Sequence, residues 1–260
     1  MSDDVMSRTL SIHTEHELLL ALERAGMTVA DAQKVIGSKG NVLARSVLDY
    51  IRGDSTPASI TPVTLDQAES IMGDNFHGVD ALERLLGRNV AKQVKTTLNK
   101  GVPISAEVLE SCRDTHVLVA CAGISLMEVW SAQTALFYAK RDPWYKSQQF
   151  ATTKVKAGWY LVRKTPVPDS TSMTWDDQCK LLTEVEEVPS ASVLAQAILI
   201  HYLEANERLF EAIYVRVSDV DSDGYRVDLG DFNQDGLRVN NYWGSHRYSY
   251  IGVSASRKFS

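Results

Sequence analysis

The 260 residues include 44% hydrophobic side chains, and no apolar run approaches the roughly 20 residues that a bilayer-spanning helix needs. This excludes a disordered chain and a helical membrane protein. A formal charge of −6 and a pI of about 5.5 weigh against the general attraction that draws proteins to nucleic acid. The first residues, MSDDVMSRTLSIHTEHE, carry acids where an export signal carries bases. The three cysteines, Cys112, Cys121 and Cys179, offer neither an even disulfide set nor a CxxC spacing. These features lead us to expect a cytoplasmic protein with no cofactor, no metal and no nucleic-acid partner, whose display at a surface would need a separate partner.

The chain opens with helical signals. Thr14 and Glu17 form a capping box ahead of Leu18, Leu19 and Leu22, and Gly26 ends the segment. Thr28 and Asp31 repeat the spacing before Ala32, Val35 and Ile36, with Gly37 as the stop. A third helix follows from Asn41, with Leu43, Val47, Leu48 and Ile51 on one face and Gly53 after it. Residues 1–56 therefore read as a small helical region. The three segments have the spacing of a helix-turn-helix, so a DNA-binding regulator is the alternative reading. The third segment offers only Arg45 and Arg52 as bases, opposed by Asp49, and an accessory bundle is favoured. His13 and His16 could share a face, but no third metal ligand lies near them in sequence.

A linker rich in Pro, Ser and Thr (DSTPASITP, 54–62) precedes a helix opened by Thr64 and Gln67 and bearing Leu65, Ala68, Ile71 and Met72. Further helical turns are expected over 79–86 and 105–109, so that 57–112 forms a helical segment packing on the C-terminal domain. From 113 to 260 the pattern is α+β. Apolar runs at 116–121 and 159–162 read as strands. Thr174 with Asp177 caps a helix over 175–182, and Ser190 opens a longer one through Val193, Leu194, Ala197, Ile198 and Leu203. Strands follow, with Val215, Val217, Val227 and Leu229 facing inward and Arg216, Arg226 and Asp228 facing water.

Catalytic signals are sparse. No GxSxG, HExxH or P-loop sequence occurs, and Cys121 and His201 lie on apolar runs as packing residues. Asp219, Asp221 and Asp223 before Gly224 match the first half of a calcium loop, but the twelfth position is Gly230 rather than glutamate. A tight β-turn is favoured over a calcium site. Lys140, Arg141, Lys146, Lys154 and Lys156 form the clearest basic run, read as a solvated face.

The informative stretch begins at Asp231: DFNQDGLRVNNYWGSHRYSYIGVSASRKFS. Apolar positions (Phe232, Leu237, Val239, Trp243, Ile251, Val253) alternate with Asn, Tyr, Ser, Gly and His, the composition of binding loops. Tyr242, Tyr248 and Tyr250 fall within nine residues that hold no Lys or Glu, an interface composition.

At these residues the chain resembles the variable proteins of diversity-generating retroelements. The likeness runs through 207–259 and includes the ending Arg247-Tyr248-Ser249-Tyr250-Ile251-Gly252-Val253 followed by Arg257. The stretches 64–78, 112–119 and 158–171 are also similar to members of this group. The resemblance implies a C-type-lectin fold of the branch shared with formylglycine-generating enzymes. It further implies a non-enzymatic function, in which a reverse transcriptase rewrites template adenines to diversify a surface that recognises varied ligands, expected to be proteins. The variable region would span about 231–250, with Asn233, Asp235, Arg238, Asn240, Asn241, Tyr242, Gly244, Ser245, His246, Tyr248, Ser249 and Tyr250 as ligand-binding positions. Trp243 cannot arise from a rewritten asparagine codon and would be scaffold; Gln234 cannot either. The related enzymes use an active-site cysteine pair, which the final eighty residues lack, so a formylglycine-generating activity is disfavoured.

Overall fold

A computed structural model of the protein describes residues 62–258, together with scattered positions between 16 and 33. The chain divides into two units, Met1–Ser59 and Ile60–Ser260. Apart from those scattered positions the expected region 1–56 lies outside the described residues, and with it the helix-turn-helix reading and His13, the proposed neighbour of His16.

In the second unit the chain begins with α1 (Leu65–Met72), whose Thr64 and Gln67 cap each other's backbone N–H groups as the sequence suggests. Strand β1 (Phe76–His77) follows, then α2 (Val79–Leu86), α3 (Lys92–Leu98) and α4 (Ala106–Cys112). The expectation of an all-helical segment over 57–112 is thus corrected at β1. Two residues carry no periodicity, and β1 is defined only by its parallel pairing with β2 (His116–Cys121), where Phe76 meets Leu118. Next come α5 (Leu126–Ala132), α6 (Gln149–Thr152), β3 (Gly158–Arg163), α7 (Trp175–Cys179) and β4 (Glu186–Glu187). The chain ends with α8 (Ala191–Ala205) and five strands: β5 (Tyr214–Val220), β6 (Arg226–Asn233), β7 (Gly236–Tyr242), β8 (Ile251–Val253) and β9 (Ser256–Arg257).

The architecture is α+β with two sheets, ordered β1-β2-β3-β9-β4 and β7-β6-β5-β8. Helix α8 packs on β2 of the first sheet and on β5 and β6 of the second, and its residues from Ala191 to His201 are all buried. A helix apolar around its whole circumference is stable only when enclosed in this way. Its three buried polar residues are satisfied: Gln196 pairs with the Ala122 backbone N–H and C=O, Ser192 donates to Ile124 O, and the His201 ring bonds to His77 and Glu207. Its N-terminus is held by Ser190, which accepts from Val193 N, and by Asp219, which accepts from Ala191 N at 2.6 Å. Strand β2, buried at every residue, packs against α8 and α2. The last strands tie the sheets together, since β8 belongs to the second and β9, after Ser254 and Ala255, to the first. Gly252 of the Ile-Gly-Val sequence admits the close approach of Pro166 and Ser170; a Cβ there would lie 2.8 Å from each.

β7 is an edge strand, and the preceding loop blunts it. Tyr138 N donates to Leu237 O, Trp144 Nε1 to Val239 O and Lys140 Nζ to Asp235 O. The basic run is likewise engaged, with Lys146 paired to Asp142 and Lys154 to Glu128.

Three buried histidines, His77, His116 and His201, make the unit sensitive to acid. His77 Nε2 lies 2.8 Å from His201 Nδ1, and His201 Nε2 lies 3.0 Å from Glu207 Oε2, so the packing histidine expected at 201 is also part of a polar chain. Burial pushes both His77 and His116 down to about 4. The unfolded chain therefore binds more protons between pH 6.5 and 4, and stability is lost as pH falls through that window. Urea midpoints should fall less between pH 7 and pH 4.5 in His77→Gln combined with His116→Gln than in the parent. In a separate test of the core, Ile198→Ala should cost about 2–5 kcal/mol in the same unfolding assay at pH 7.

Candidate functional site

The second sheet has one face on α8 and one face away from it. Strand register places Arg216, Asp228 and Asn240 side by side on the latter, since Arg216 pairs with Asp228 and Asp228 with Asn240. The alternation predicted that this face is wet. Instead, Arg216 and Asp228 are both 0% exposed, because α7 and the 243–250 loop cover them. Arg226 is only partly buried, and its guanidinium lies 4.1 Å above the Trp175 ring.

Arg216 organises the covering layer. Its Nη1 donates to Met173 O at 3.2 Å and to Gln178 Oε1 at 2.9 Å. Its Nη2 donates to Trp243 O at 3.2 Å and to His246 O at 2.9 Å. Arginine alone among side chains supplies a rigid, permanently charged fork of donors for this arrangement. Gln178, also buried, donates to Ser170 O and Ile251 O, joining α7 to β8.

The rest of the loop is held in the same manner, by its main chain. Trp175 N donates to Gly244 O, Ser172 N to Tyr248 O and Tyr214 N to Tyr250 O. Five carbonyls between Trp243 and Tyr250 thus accept from residues outside the loop. The loop side chains are left on the outer surface: Ser245, His246, Ser249 and Tyr250 are exposed, and Tyr242, Gly244 and Tyr248 are half-buried. Tyr242, Tyr248 and Tyr250 form one cluster, with ring centres 5.0 Å (242–248), 5.3 Å (248–250) and 6.3 Å (242–250) apart. His246 Nδ1 lies 2.9 Å from the Tyr248 hydroxyl.

The other predicted site residues are distributed along β7. Asn240 is half-buried in register with Asp228. Asn241 points elsewhere and donates to Asp221 Oδ2, which makes it a structural contact. Arg238 pairs with Asp231 at 3.2 Å and lies 4.0 Å over the Tyr138 ring. Asn233 and Asp235 sit in the β6–β7 turn, at the opposite end of β7 from the tyrosine cluster. The acids of the calcium-like sequence are committed to backbone N–H groups: Asp219 to Ala191, and Asp221 to Asp223 and Tyr225. The tight-turn reading describes this geometry.

Sequence reasoning missed part of this surface. Trp243, expected to stay fixed while its neighbours vary, is 48% exposed and packs on Tyr225 at 4.2 Å, which agrees with a constant residue on the surface. Tyr138 (53%), Trp144 (41%) and Tyr250 (43%) are the other exposed aromatics among the described residues. All four border β7 or its following loop. Tyr138 and Trp144 lie about a hundred residues upstream in sequence, where no local pattern marks them.

Asp228 is the anomaly of the site. No protein group donates to either of its carboxylate oxygens. Burial pushes its carboxyl up to about 8, outweighing the opposing effect of Arg216. The folded state therefore holds a proton that the unfolded state releases between pH 4 and 8, and this group's contribution to stability declines as pH rises through that range. Asp228→Asn should be more stable than the parent at pH 9, by on the order of a few kcal/mol, with the difference vanishing near pH 4. Chemical denaturation at three pH values measures this; a variant less stable at pH 9 would show that the native carboxylate is ionised and paired.

Compared with known proteins, the chain matches no family model, no curated protein and no solved structure. No helix among the described residues is long and apolar enough to cross a membrane.

Proposed function

We propose that this protein is a non-enzymatic ligand-binding protein whose surface around β7 and the 243–250 loop is diversified by a retroelement, on a scaffold of the C-type-lectin type. The observation that carries this reading is the manner in which the loop is held. Arg216 and the N–H groups of Ser172, Trp175 and Tyr214 grip carbonyls, which every residue type possesses. Side chains at 244–246 and 248–250 can then be exchanged without removing those bonds, and surface substitutions of this kind change stability by less than about 0.5 kcal/mol. The exposed and half-buried tyrosines supply large, rigid contact area suited to a protein ligand.

The proposal separates fixed from variable positions within one surface. Tyr138 and Trp144 lie outside the diversified segment and would serve as constant anchors beside it. Asn241 and Arg238, which contact Asp221 and Asp231, would tolerate exchange less readily than Ser245 or Ser249.

Two experiments test the reading. In a library randomised at 244–246 and 248–250 and sorted for protease resistance, most members should remain folded, whereas Arg216→Met should lose at least about 2 kcal/mol because Met173 O, Gln178 Oε1 and His246 O lose the arginine donors. A library that folds only near the parental sequence would count against it. Sequencing the flanking DNA should find a reverse-transcriptase gene and a near-copy of the codons for 231–250 that differs mainly at adenines. Absence of that repeat removes the retroelement from the proposal.

A further inference from the structure

Beside the tyrosines lies an acid that the protein leaves without a donor. Asp228 stands on β6 between Arg216 on β5 and Asn240 on β7, fully buried, with both oxygens unpartnered. The titratable groups that interact with it are Arg216 and Tyr214 on β5 and Tyr242 on β7, and Arg216 in turn has Tyr248 of the loop, Arg226 of β6 and Cys179 of α7 around it. The cations among its neighbours are bonded to other oxygens, except that the buried Nε of Arg216 has no acceptor. The terminal nitrogens of Arg216 donate to four other oxygens, Arg238 pairs with Asp231 and Asp235, and Arg226 donates to Ser218 O from above Trp175.

Tyr242 is the diagonal neighbour of Asp228 across the β6–β7 pair, and Tyr248 and Tyr250 pack against it. Tyr242, Tyr248 and Tyr250 meet at interplanar angles of 54°, 41° and 74°, so their faces are turned in different directions rather than stacked. Faces of this kind attract a cation, and a carboxyl without a donor attracts an N–H group. Both requirements are met by one chemical class of ligand. We infer that the surface recognises a basic side chain, lysine or arginine, of a protein ligand, with the cation among the Tyr242, Tyr248 and Tyr250 rings and Asp228 as its acceptor.

This inference rests on the reading of the surface as a ligand-binding site and adds the chemistry of its ligand. Entry requires Tyr248 and Tyr250 to swing outward, and neither belongs to the buried core. Asp228 lies upstream of the expected variable region, so the acceptor would persist while the aromatic cluster is exchanged.

Random heptapeptides displayed on phage and selected against the full-length protein test this. Selected peptides should be enriched in Lys or Arg, and a purified hit should bind Asp228→Asn at least about tenfold more weakly than the parent, a difference of about 1.4 kcal/mol. Its affinity for the unmodified protein should rise from pH 6 to pH 8, by up to about tenfold per unit, as the carboxyl gives up its proton to accept the cation. This pH profile decides the matter even if the variant is misfolded. Peptides that depend on Tyr248 and Tyr250 but show no basic bias, or a flat pH profile, would overturn the inference while leaving the binding surface standing. If no selected peptide is sensitive to Tyr248→Ala combined with Tyr250→Ala, the binding-surface reading falls, and this inference with it.

Discussion

A buried guanidinium that holds four oxygens from two separate stretches of chain is the constraint on which this surface depends. Arg216 reaches Met173 and Gln178 on one side and Trp243 and His246 on the other. Burying an arginine is costly unless its donors are satisfied, and here the four terminal bonds offset that cost. The same bonds convert a solvent-exposed sheet face into an interior, with α7 and the 243–250 loop as its cover. Remove the fork and both elements lose their common attachment.

That attachment acts almost entirely on the main chain. Five loop carbonyls are engaged from outside the loop, while the tyrosine side chains above them contact one another and only Trp243, on Tyr225, and Arg247, on Asp177, are seen to reach back to the scaffold. Backbone recognition separates the loop's conformation from its sequence, which is the physical condition for a surface that is rewritten without refolding. Helix α8 meets the corresponding demand from below. Because it is enclosed by both sheets, and its Gln196 and Ser192 are satisfied, the inner face of β5 and β6 has a fixed support.

The site also concentrates electrostatic tension where a ligand would act. Arg216 does not donate to its neighbour Asp228, and the acid is left protonated at neutral pH by burial. An unsatisfied buried carboxyl is destabilising in an empty site, and a group that persists at such a cost is a place to look for function. The histidine chain near β1 differs in this respect: His77, His201, Glu207 and Lys164 are mutually bonded, and it reads as structural.

Much of the architecture was legible in the sequence because its causes are local. The caps at Thr64, Thr174 and Ser190 start helices where the spacing places them, and the period-two pattern of β5 and β6 marks which residues share a face. The tyrosine-rich loop was visible in the same way, from composition. Strand β1 was hidden because a two-residue strand exists only through its partner, and Tyr138 and Trp144 were hidden because only folding brings them to β7. By itself the sequence determined that Arg216 and Asp228 share a face opposite the valines. Only the tertiary structure decided that this face is covered, because alternation specifies the direction of a side chain and not what the rest of the chain lays over it.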